Sequence, residues 1–133
     1  MPEQANESSR RKRIVVVDDE PSIGRLAQAN LEQAGYEVAL AYDGREALRQ
    51  ILKGPTDLIV MDIGIPYADG FEIMEILNAS PDTGSIPVVI LSARSEESDI
   101  ARGIKEGAVC YLTKPFNPAE LIAFADRLLN SPR

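Results

Sequence analysis

Five polar residues stand directly after apolar segments of this chain. They are Asp18, Asp19, Asp62, Ser92 and Lys114. In the stretch VVVDDEPS, residues 15–22, three valines run straight into two aspartates. Carboxylates ligate hard divalent cations, hydroxyl groups donate hydrogen bonds to phosphoryl oxygens, and ammonium groups neutralise the charge of these oxygens. The residue types therefore point to chemistry on a phosphoryl group, provided that the fold brings them together.

The apolar segments recur along the whole chain, and residues with helical spacing lie between them. The segments are RIVVVDD at 13–19, YEVALAY at 36–42, TDLIVMD at 56–62, IPVVILSA at 86–93 and AVCYLT at 108–113. Strands that alternate with helices indicate βαβ units, and hence a parallel sheet covered by helices on both faces. We predict an α/β fold of five such units, a flavodoxin-like (βα)5 three-layer sandwich.

The second apolar segment differs from the others in its alternation. Tyr36, Val38 and Leu40 alternate with less apolar residues, whereas the first, third and fourth segments are continuously apolar. Strands buried on both faces read as continuous apolar runs, so the alternating strand belongs at an edge. This pattern is compatible with a five-stranded parallel sheet in the order 2-1-3-4-5.

In that topology the crevice for a ligand lies beyond the carboxyl ends of strands one and three. Asp18, Asp19 and Asp62 then converge, and at about 5 Å each pair repels by roughly 3 kcal/mol at an effective dielectric of about 20. A divalent ion such as Mg²⁺ or Mn²⁺ offsets this repulsion, and Lys114 is a second cation. A carboxylate can attack phosphorus, so the set predicts phosphoryl transfer to Asp62.

Structural interpretations of three of these residues stay open. Asp18 could simply cap the first helix, because aspartate is favoured at that position. Ser92 could be an ordinary turn hydroxyl. Tyr111, in the fifth apolar segment, could be simply a packed aromatic residue of an edge strand.

Glycines mark the predicted ends of three helices. Gly35, Gly54 and Gly107 each follow a helical pattern, where a left-handed residue is typical.

The fourth predicted helix lies in SEESDIARGIKEG, residues 95–107. Its apolar face holds only Ile100, Ala101 and Ile104, and Gly103 in its interior costs about 1 kcal/mol relative to alanine. We therefore expect it to be the most loosely anchored helix of the chain.

Composition limits the class of protein. The 133 residues suffice for one domain, and we predict a disordered polar tail at 1–12, a domain at 13–130 and a short tail at 131–133. No segment has the length of a membrane span or the apolar region of a signal peptide, and Cys110 is the one cysteine, so a cytoplasmic location is expected. The net charge of −7 argues against direct binding of nucleic acid, despite RRKR at 10–13. The absence of histidine excludes histidine bases and ligands.

Four motifs in this order and spacing resemble the receiver domain of bacterial response regulators, including chemotaxis-type regulators: VVDDE, MDIGIPYADG, VVILSA and YLTKPF. The resemblance covers roughly residues 13–130. It implies that Asp62 is the phosphoacceptor. It also implies that Mg²⁺ is held by Asp19, Asp62 and the backbone carbonyl of Gly64, with Asp18 assisting through water.

The resemblance assigns roles to the remaining residues. Ser92 would bind a phosphoryl oxygen, Lys114 would pair with Asp62 or its phosphate through a cis Lys114–Pro115 bond, and the rotamer of Tyr111 would follow Ser92. Pro66, Asp69 and Gly70 match the loop and the start of the third helix. Gly64 and Arg94 match positions that tune the lifetime of the phosphoryl group.

The resemblance also implies partners. With no histidine of its own, the chain would receive its phosphoryl group from a histidine kinase or a histidine phosphotransfer protein. It would signal to an effector protein or an output domain through helix four, strand five and helix five. A homodimer through this face stays open, although Val109, Cys110 and Phe124 replace the residues that form salt bridges in many winged-helix regulators. No membrane contact and no independent enzymatic activity are expected.

Other interpretations fit the residues less well. Phosphohydrolases with an aspartate nucleophile usually carry a second aspartate two residues later, where this chain has Gly64. A flavodoxin needs a hydroxyl- and glycine-rich phosphate loop after strand one, where this chain has DDEPS. A receiver-like module without chemistry would not need the aspartates and the lysine.

Overall fold

The computed structural model describes residues 11–65, 69–94 and 96–130. Of the predicted tails, residues 1–10 and 131–133 lie outside the described residues, and so does Pro66 of the predicted loop. The predicted domain boundaries therefore stay predictions.

Five strands form one parallel sheet. They are β1 (Arg13–Val17), β2 (Glu37–Ala41), β3 (Leu58–Met61), β4 (Val88–Ser92) and β5 (Cys110–Thr113). The sheet has the order β2-β1-β3-β4-β5, which confirms the predicted topology and places β2 at an edge. Every residue of β1, β3 and β4 is buried, as their continuous apolar sequences predict.

Six helices accompany the strands in the described part of the chain. They are α1 (Pro21–Gln33), α2 (Gly44–Lys53), α3 (Gly70–Asn78), α4 (Pro81–Gly84), α5 (Glu97–Lys105) and α6 (Pro118–Asn130). The prediction of five β/α units missed α4, a single turn that Ser80 caps by accepting a hydrogen bond from the Asp82 N–H. The fourth predicted helix is therefore α5, and the fifth is α6.

The core consists of two apolar clusters, one on each face of the sheet. Successive strand residues point to opposite faces, so Val15 and Val17 belong to one cluster, and Ile14 and Val16 to the other. Side chains of α2 and α3 complete the first cluster, and side chains of α1 and α6 complete the second. This arrangement gives the three layers that the sequence predicts.

Two of the three predicted helix-end glycines are left-handed. Gly35 has φ 107° and Gly107 has φ 112°. The prediction for Gly54 was wrong, because this residue is extended, with φ −165°. The physical reason is Pro55, since a proline disfavours the helical region at the residue before it and favours an extended one.

Helix α6 is tied firmly to the rest of the molecule. Leu121 and Ala125 are fully buried. The Tyr36 hydroxyl, at the turn between α1 and β2, donates a hydrogen bond to the Asp126 carboxylate and accepts one from Asn130 Nδ2 at 2.8 Å. Burial and the neighbouring Asp126 carboxylate raise the pKa of Tyr36 well above its ordinary value.

Helix α5 buries one residue, and its packed face differs from the predicted one. The expectation that it is the most loosely anchored helix stays a prediction. Gly103 is its only buried residue, whereas Ala101 is exposed and Ile104 is 50% exposed. The apolar pattern missed this because the contact is made by a residue without a side chain.

The amino end of the sheet buries a cation. Arg13 is only 8% exposed. Its Nη1 donates to Thr56 Oγ1 at 2.9 Å and to the Pro55 carbonyl at 3.4 Å. Its Nη2 donates to the carbonyl oxygen and to Oε1 of Gln50 at 3.0 and 3.2 Å. The guanidinium group is therefore surrounded by oxygen acceptors.

Candidate functional site

Two aspartates and a lysine meet at the carboxyl end of the sheet. Asp18 follows β1, Asp62 follows β3 and Lys114 follows β5. Lys114 Nζ lies 2.7 Å from Asp18 Oδ2 and 2.9 Å from Asp62 Oδ2. Asp18 and Asp62 are 2% and 8% exposed. The structure thus brings together three of the residues that the sequence selected.

Backbone groups fix both aspartates. The Asp62 N–H donates to the Val17 carbonyl at 2.9 Å, and the Gly64 N–H donates to Asp62 Oδ1 at 3.0 Å. Asp62 therefore has one oxygen on an amide and the other on the ammonium of Lys114.

Asp18 is held in a comparable way, because the Glu20 N–H donates to its Oδ1 at 2.9 Å. The alternative that Asp18 caps α1 was wrong, since Glu20 occupies the N-cap position and no side chain caps this helix. The Asp18 carboxylate thus remains directed to the cluster.

Asp19 adds a third carboxylate to the cluster. One carboxylate oxygen from each of Asp18, Asp19 and Asp62 lies within 4.8 Å of the others, and Asp19 is exposed. Hard oxygen ligands close together suit a divalent cation such as Mg²⁺, so the residues present fit the predicted ion. The ligand role of the Gly64 carbonyl stays a prediction.

Burial and charge act in opposite directions on this cluster. Burial raises the pKa of Asp18, and the contacts with Lys114 and the Glu20 N–H offset only part of that increase. For Lys114, burial alone would lower the pKa, but the hydrogen bonds to Asp18 and Asp62 outweigh it and raise the pKa above its ordinary value. Lys114 is therefore firmly a cation.

Glu20 is a residue of the site that was not predicted from the sequence. Glu20 Oε1 lies 3.3 Å from Lys114 Nζ, and the Glu20 side chain is 62% exposed. The available signal was its position directly after the two aspartates in VVVDDEPS. Three carboxylates thus contact one ammonium group.

Ser92 and Tyr111 both bond to the backbone of Arg94. Ser92, at the end of β4, is 1% exposed, and its Oγ accepts a hydrogen bond from the Arg94 N–H at 3.2 Å. The Tyr111 hydroxyl donates to the Arg94 carbonyl at 2.7 Å. The segment after β4 thus connects the two predicted switch residues.

The Arg94 side chain extends toward the acceptor. Its Nη2 lies 3.9 Å from the position that a Cβ on Gly64 would take, and Asp62 Oδ1 lies at the same distance from that position. Arg94 Nη1 is also 4.0 Å from Asp99 Oδ1. The position of Arg94 was predicted from the sequence, but its approach to Gly64 and Asp62 was not.

The start of α3 lies close behind the acceptor. A Cβ on Gly70 would lie 2.7 Å from Ile63 Cα, so only glycine allows this approach without displacement. Asp69 and Glu72 form a capping box with two 3.0 Å hydrogen bonds, which confirms the predicted helix start at Gly70. The Lys114–Pro115 bond is cis, as the resemblance implied.

The protein-family model described as "Response regulator receiver domain" matches residues 14–126 of this chain. The alkaline phosphatase synthesis transcriptional regulatory protein PhoP of Bacillus subtilis is 43% identical over 118 residues, which are 89% of this chain and 48% of that protein. The phosphate regulon transcriptional regulatory protein PhoB of Klebsiella pneumoniae is 41% identical over 112 residues, 84% of this chain and 49% of that protein. The chain thus spans about half the length of the curated relatives it matches.

Solved structures are similar over nearly the whole chain. The chemotaxis response regulator CheY4 of Vibrio cholerae superposes with a TM-score of 0.83 at 33% identity, covering 90% of this chain and 100% of that one.

None of the helices in residues 11–65, 69–94 and 96–130 is both long and apolar enough to cross a membrane.

Proposed function

Because the chain belongs to the response regulator receiver domain family, we propose that it accepts a phosphoryl group on Asp62 and transmits this event through its surface. The observation that carries the proposal is the setting of Asp62. Its carboxylate is nearly buried and is oriented by the Gly64 N–H and by Lys114 Nζ at 3.0 and 2.9 Å. The receiver domain is assigned to residues 13–130, and the family match over 14–126 supports this range.

The proposed reaction is a nucleophilic displacement at phosphorus. An oxygen of the Asp62 carboxylate forms the new O–P bond, while the P–N bond to the donor's histidine breaks and its electron pair stays on the imidazole nitrogen, which takes up a proton. Lys114 stabilises the negative charge of the transferred group, since it already contacts Asp62 Oδ2 at 2.9 Å. Its raised pKa keeps it charged throughout the physiological range.

Asp18, Asp19 and Asp62 would hold a divalent cation, Mg²⁺ or Mn²⁺, and the Gly64 carbonyl is proposed as a further ligand. The clustering of their oxygens within 4.8 Å supports this assignment. When bound, the ion supplies positive charge that neutralises phosphoryl oxygens. Asp18 is the most deeply buried of the three and already bonds to Lys114, which supports an indirect role for it, through water.

The phosphoryl donor is proposed to be a histidine kinase or a histidine phosphotransfer protein of a two-component system. The chain has no histidine, so it cannot form its own phosphohistidine. Small acyl phosphates are a second donor class, because the acceptor requires only a good leaving group. On this proposal the chain is a phosphoacceptor and not an independent enzyme.

Ser92 and Tyr111 are proposed as the switch residues. A phosphoryl group adds about −1.5 to −2 charges and three strong acceptors next to Asp62, and these acceptors need donors. The Ser92 hydroxyl can be such a donor. Because the Arg94 N–H and carbonyl bond to Ser92 and Tyr111, moving Ser92 would also strain the Tyr111 contact.

The proposed output surface is the α5–β5–α6 face, which consists of the outer residues of these three elements. Ile104 of α5 is 50% exposed, and Val109, directly before β5, is 51% exposed. These two apolar side chains support a contact with a partner at this face. The partner is proposed to be an effector protein, an output domain or a second copy of the chain. Nucleic acid and membranes are not proposed as direct partners.

The test is intact mass after incubation with acetyl phosphate and Mg²⁺. We expect one added phosphoryl group on the wild-type protein, and none on Asp62→Asn or without metal. A matched control is Asp43→Asn, because Asp43 caps α2 by accepting from the Glu46 N–H, a role that asparagine can also fill.

An adduct on Asp62→Asn, or none on Asp43→Asn, would contradict the assignment of the acceptor. If no protein is modified by small donors, the decisive measurement is binding of beryllofluoride, which mimics the phosphoryl group. Binding to the wild-type protein but not to Asp62→Asn would support strict dependence on a kinase. Absence of binding would reject the proposed function.

A further inference from the structure

Gly103 stands in the interior of α5, where glycine is disfavoured. A glycine inside a helix costs about 1 kcal/mol relative to alanine. Gly103 has no positive φ that would require glycine, yet it is the one buried residue of this helix. The reason for this residue type must therefore lie in packing.

The packing around Gly103 leaves no room for a methyl group. A Cβ there would lie 2.7 Å from Ile90 Cδ1, and 3.1 and 3.3 Å from Cδ2 and Cε2 of Tyr111. Ile90 is fully buried in β4, so its side chain has little freedom to move away. An added methyl group must displace the Ile90 Cδ1 atom, the Tyr111 ring or α5 itself.

The Tyr111 ring is connected to the acceptor site through the segment after β4. Its hydroxyl donates to the Arg94 carbonyl at 2.7 Å, and the Arg94 N–H donates to Ser92 Oγ at 3.2 Å. Gly103 therefore lies at one end of a continuous series of contacts, and Ser92 lies at the other.

We propose that Gly103 is a positioning residue for Tyr111. Its missing side chain lets α5 approach β4 and β5 closely enough to hold the ring where its hydroxyl reaches the Arg94 carbonyl. A shift of α5 is then coupled to a shift of the Tyr111 ring. This inference rests on the proposed function only where it concerns binding of a phosphoryl group.

The first readout needs no phosphoryl chemistry. In protein labelled with fluorotyrosine, the ¹⁹F resonance of residue 111 is identified by its loss in Tyr111→Phe. We expect Gly103→Ala to shift and broaden this resonance, while that of Tyr36 stays in place as an internal reference. The matched control is Gly54→Ala, because a Cβ at Gly54 meets nothing within 4 Å and its backbone is extended.

The second readout is beryllofluoride affinity. Release of Tyr111 removes one restraint on the Arg94 backbone, so Ser92 becomes easier to recruit. We expect Gly103→Ala to bind beryllofluoride about 3- to 10-fold more tightly than the wild-type protein, since a larger fraction of molecules is already competent. Gly54→Ala should match the wild-type protein.

An unmoved Tyr111 resonance in folded Gly103→Ala would overturn the inference, and so would an unchanged or weaker beryllofluoride affinity alongside a shifted resonance. If Gly103→Ala does not fold, the double variant Ile90→Val, Gly103→Ala replaces it, because valine lacks the Cδ1 atom that gives the shortest contact. Failure of the wild-type protein to bind beryllofluoride would reject the proposed function instead, and the fluorine measurement would still judge Gly103.

Discussion

At the amino end of the sheet a buried cation is surrounded by matching acceptors, whereas at the carboxyl end three carboxylates contact one ammonium. Arg13 directs four hydrogen bonds to oxygens of Gln50, Pro55 and Thr56. Lys114 contacts Asp18, Glu20 and Asp62, and Asp19 lies in the same cluster. Both ends bury charge, but Arg13 is matched by neutral acceptors and by Glu37 Oε2 at 4.0 Å, whereas four carboxylates at the carboxyl end outnumber Lys114.

This difference separates stability from function. A charge that the protein satisfies internally holds the fold together, and its loss leaves buried partners unpaired. A cluster of like charges costs free energy in the isolated molecule and is relieved by a cation or a transferred group from outside. Mutation at the amino end should therefore reduce stability and spare function, whereas mutation at the carboxyl end should reduce function and spare stability.

The largest expected effect is at Asp62. Asp62→Asn should abolish phosphoryl incorporation, because an amide is not a nucleophile toward phosphorus. The free energy of unfolding without metal should change by less than about 1 kcal/mol, since relief of repulsion offsets the lost contact with Lys114. Urea denaturation of metal-free protein checks this. A loss of several kcal/mol would mean that the carboxyl end is also structural.

Arg13→Met provides the opposite case. We expect a loss of about 3 kcal/mol in the free energy of unfolding, because the substitution removes a buried, hydrogen-bonded charge and leaves its acceptors unsatisfied. The rate of phosphorylation by acetyl phosphate should stay unchanged under conditions where the variant is folded. A slower reaction with unchanged stability would reverse the comparison between the two ends.

Lys114→Met should lower the rate of phosphoryl transfer roughly 100-fold, as loss of one charge-stabilising donor does in comparable sites. Mg²⁺ should bind more tightly, because Asp18 and Asp62 lose the ammonium that now neutralises them. Mass spectrometry of samples quenched at successive times measures the rate of phosphoryl transfer. Calorimetric titration measures the affinity for Mg²⁺. Lys53→Met, on an exposed position of α2, is the control. An unaltered rate would remove Lys114 from the chemistry.

The smallest effect concerns Tyr36. Tyr36→Phe should reduce the free energy of unfolding by about 1 kcal/mol at neutral pH, through the lost hydrogen bonds to Asp126 and Asn130. The folded-state pKa of Tyr36 is raised above its ordinary value of 10.0, so this stabilisation is complete below pH 10.0 and declines as the pH rises further. Urea denaturation on both sides of that pH should show a steeper decline for the wild-type protein. Parallel curves would contradict the assigned hydrogen bonds.

The sequence predicted the positions of the charged groups because parallel topology determines them. Once strands one and three are adjacent, residues that follow them share one edge of the sheet, so Asp18 and Asp62 had to meet. These strands could be predicted from the sequence because β1, β3 and β4 are continuously apolar.

Other features depend on tertiary contacts that no local pattern contains. Gly103 looked only like a helix defect, since its close approach to Ile90 and Tyr111 arises from packing between distant segments. The direction of the Glu20 side chain toward Lys114 depends on a flexible rotamer. By contrast, the local sequence does contain a signal for the extended Gly54 in Pro55, and one for the start of α4 in Ser80 and Pro81.

The hydrogen bond from the Tyr36 hydroxyl to the Asp126 carboxylate fixes α6, which is one side of the α5–β5–α6 face. Helix α6 is fixed to the turn before β2, whereas α5 rests on a glycine. On the proposed function, a partner that contacts both helices would respond to the separation between α5 and α6. This separation does not depend on how the whole domain is oriented.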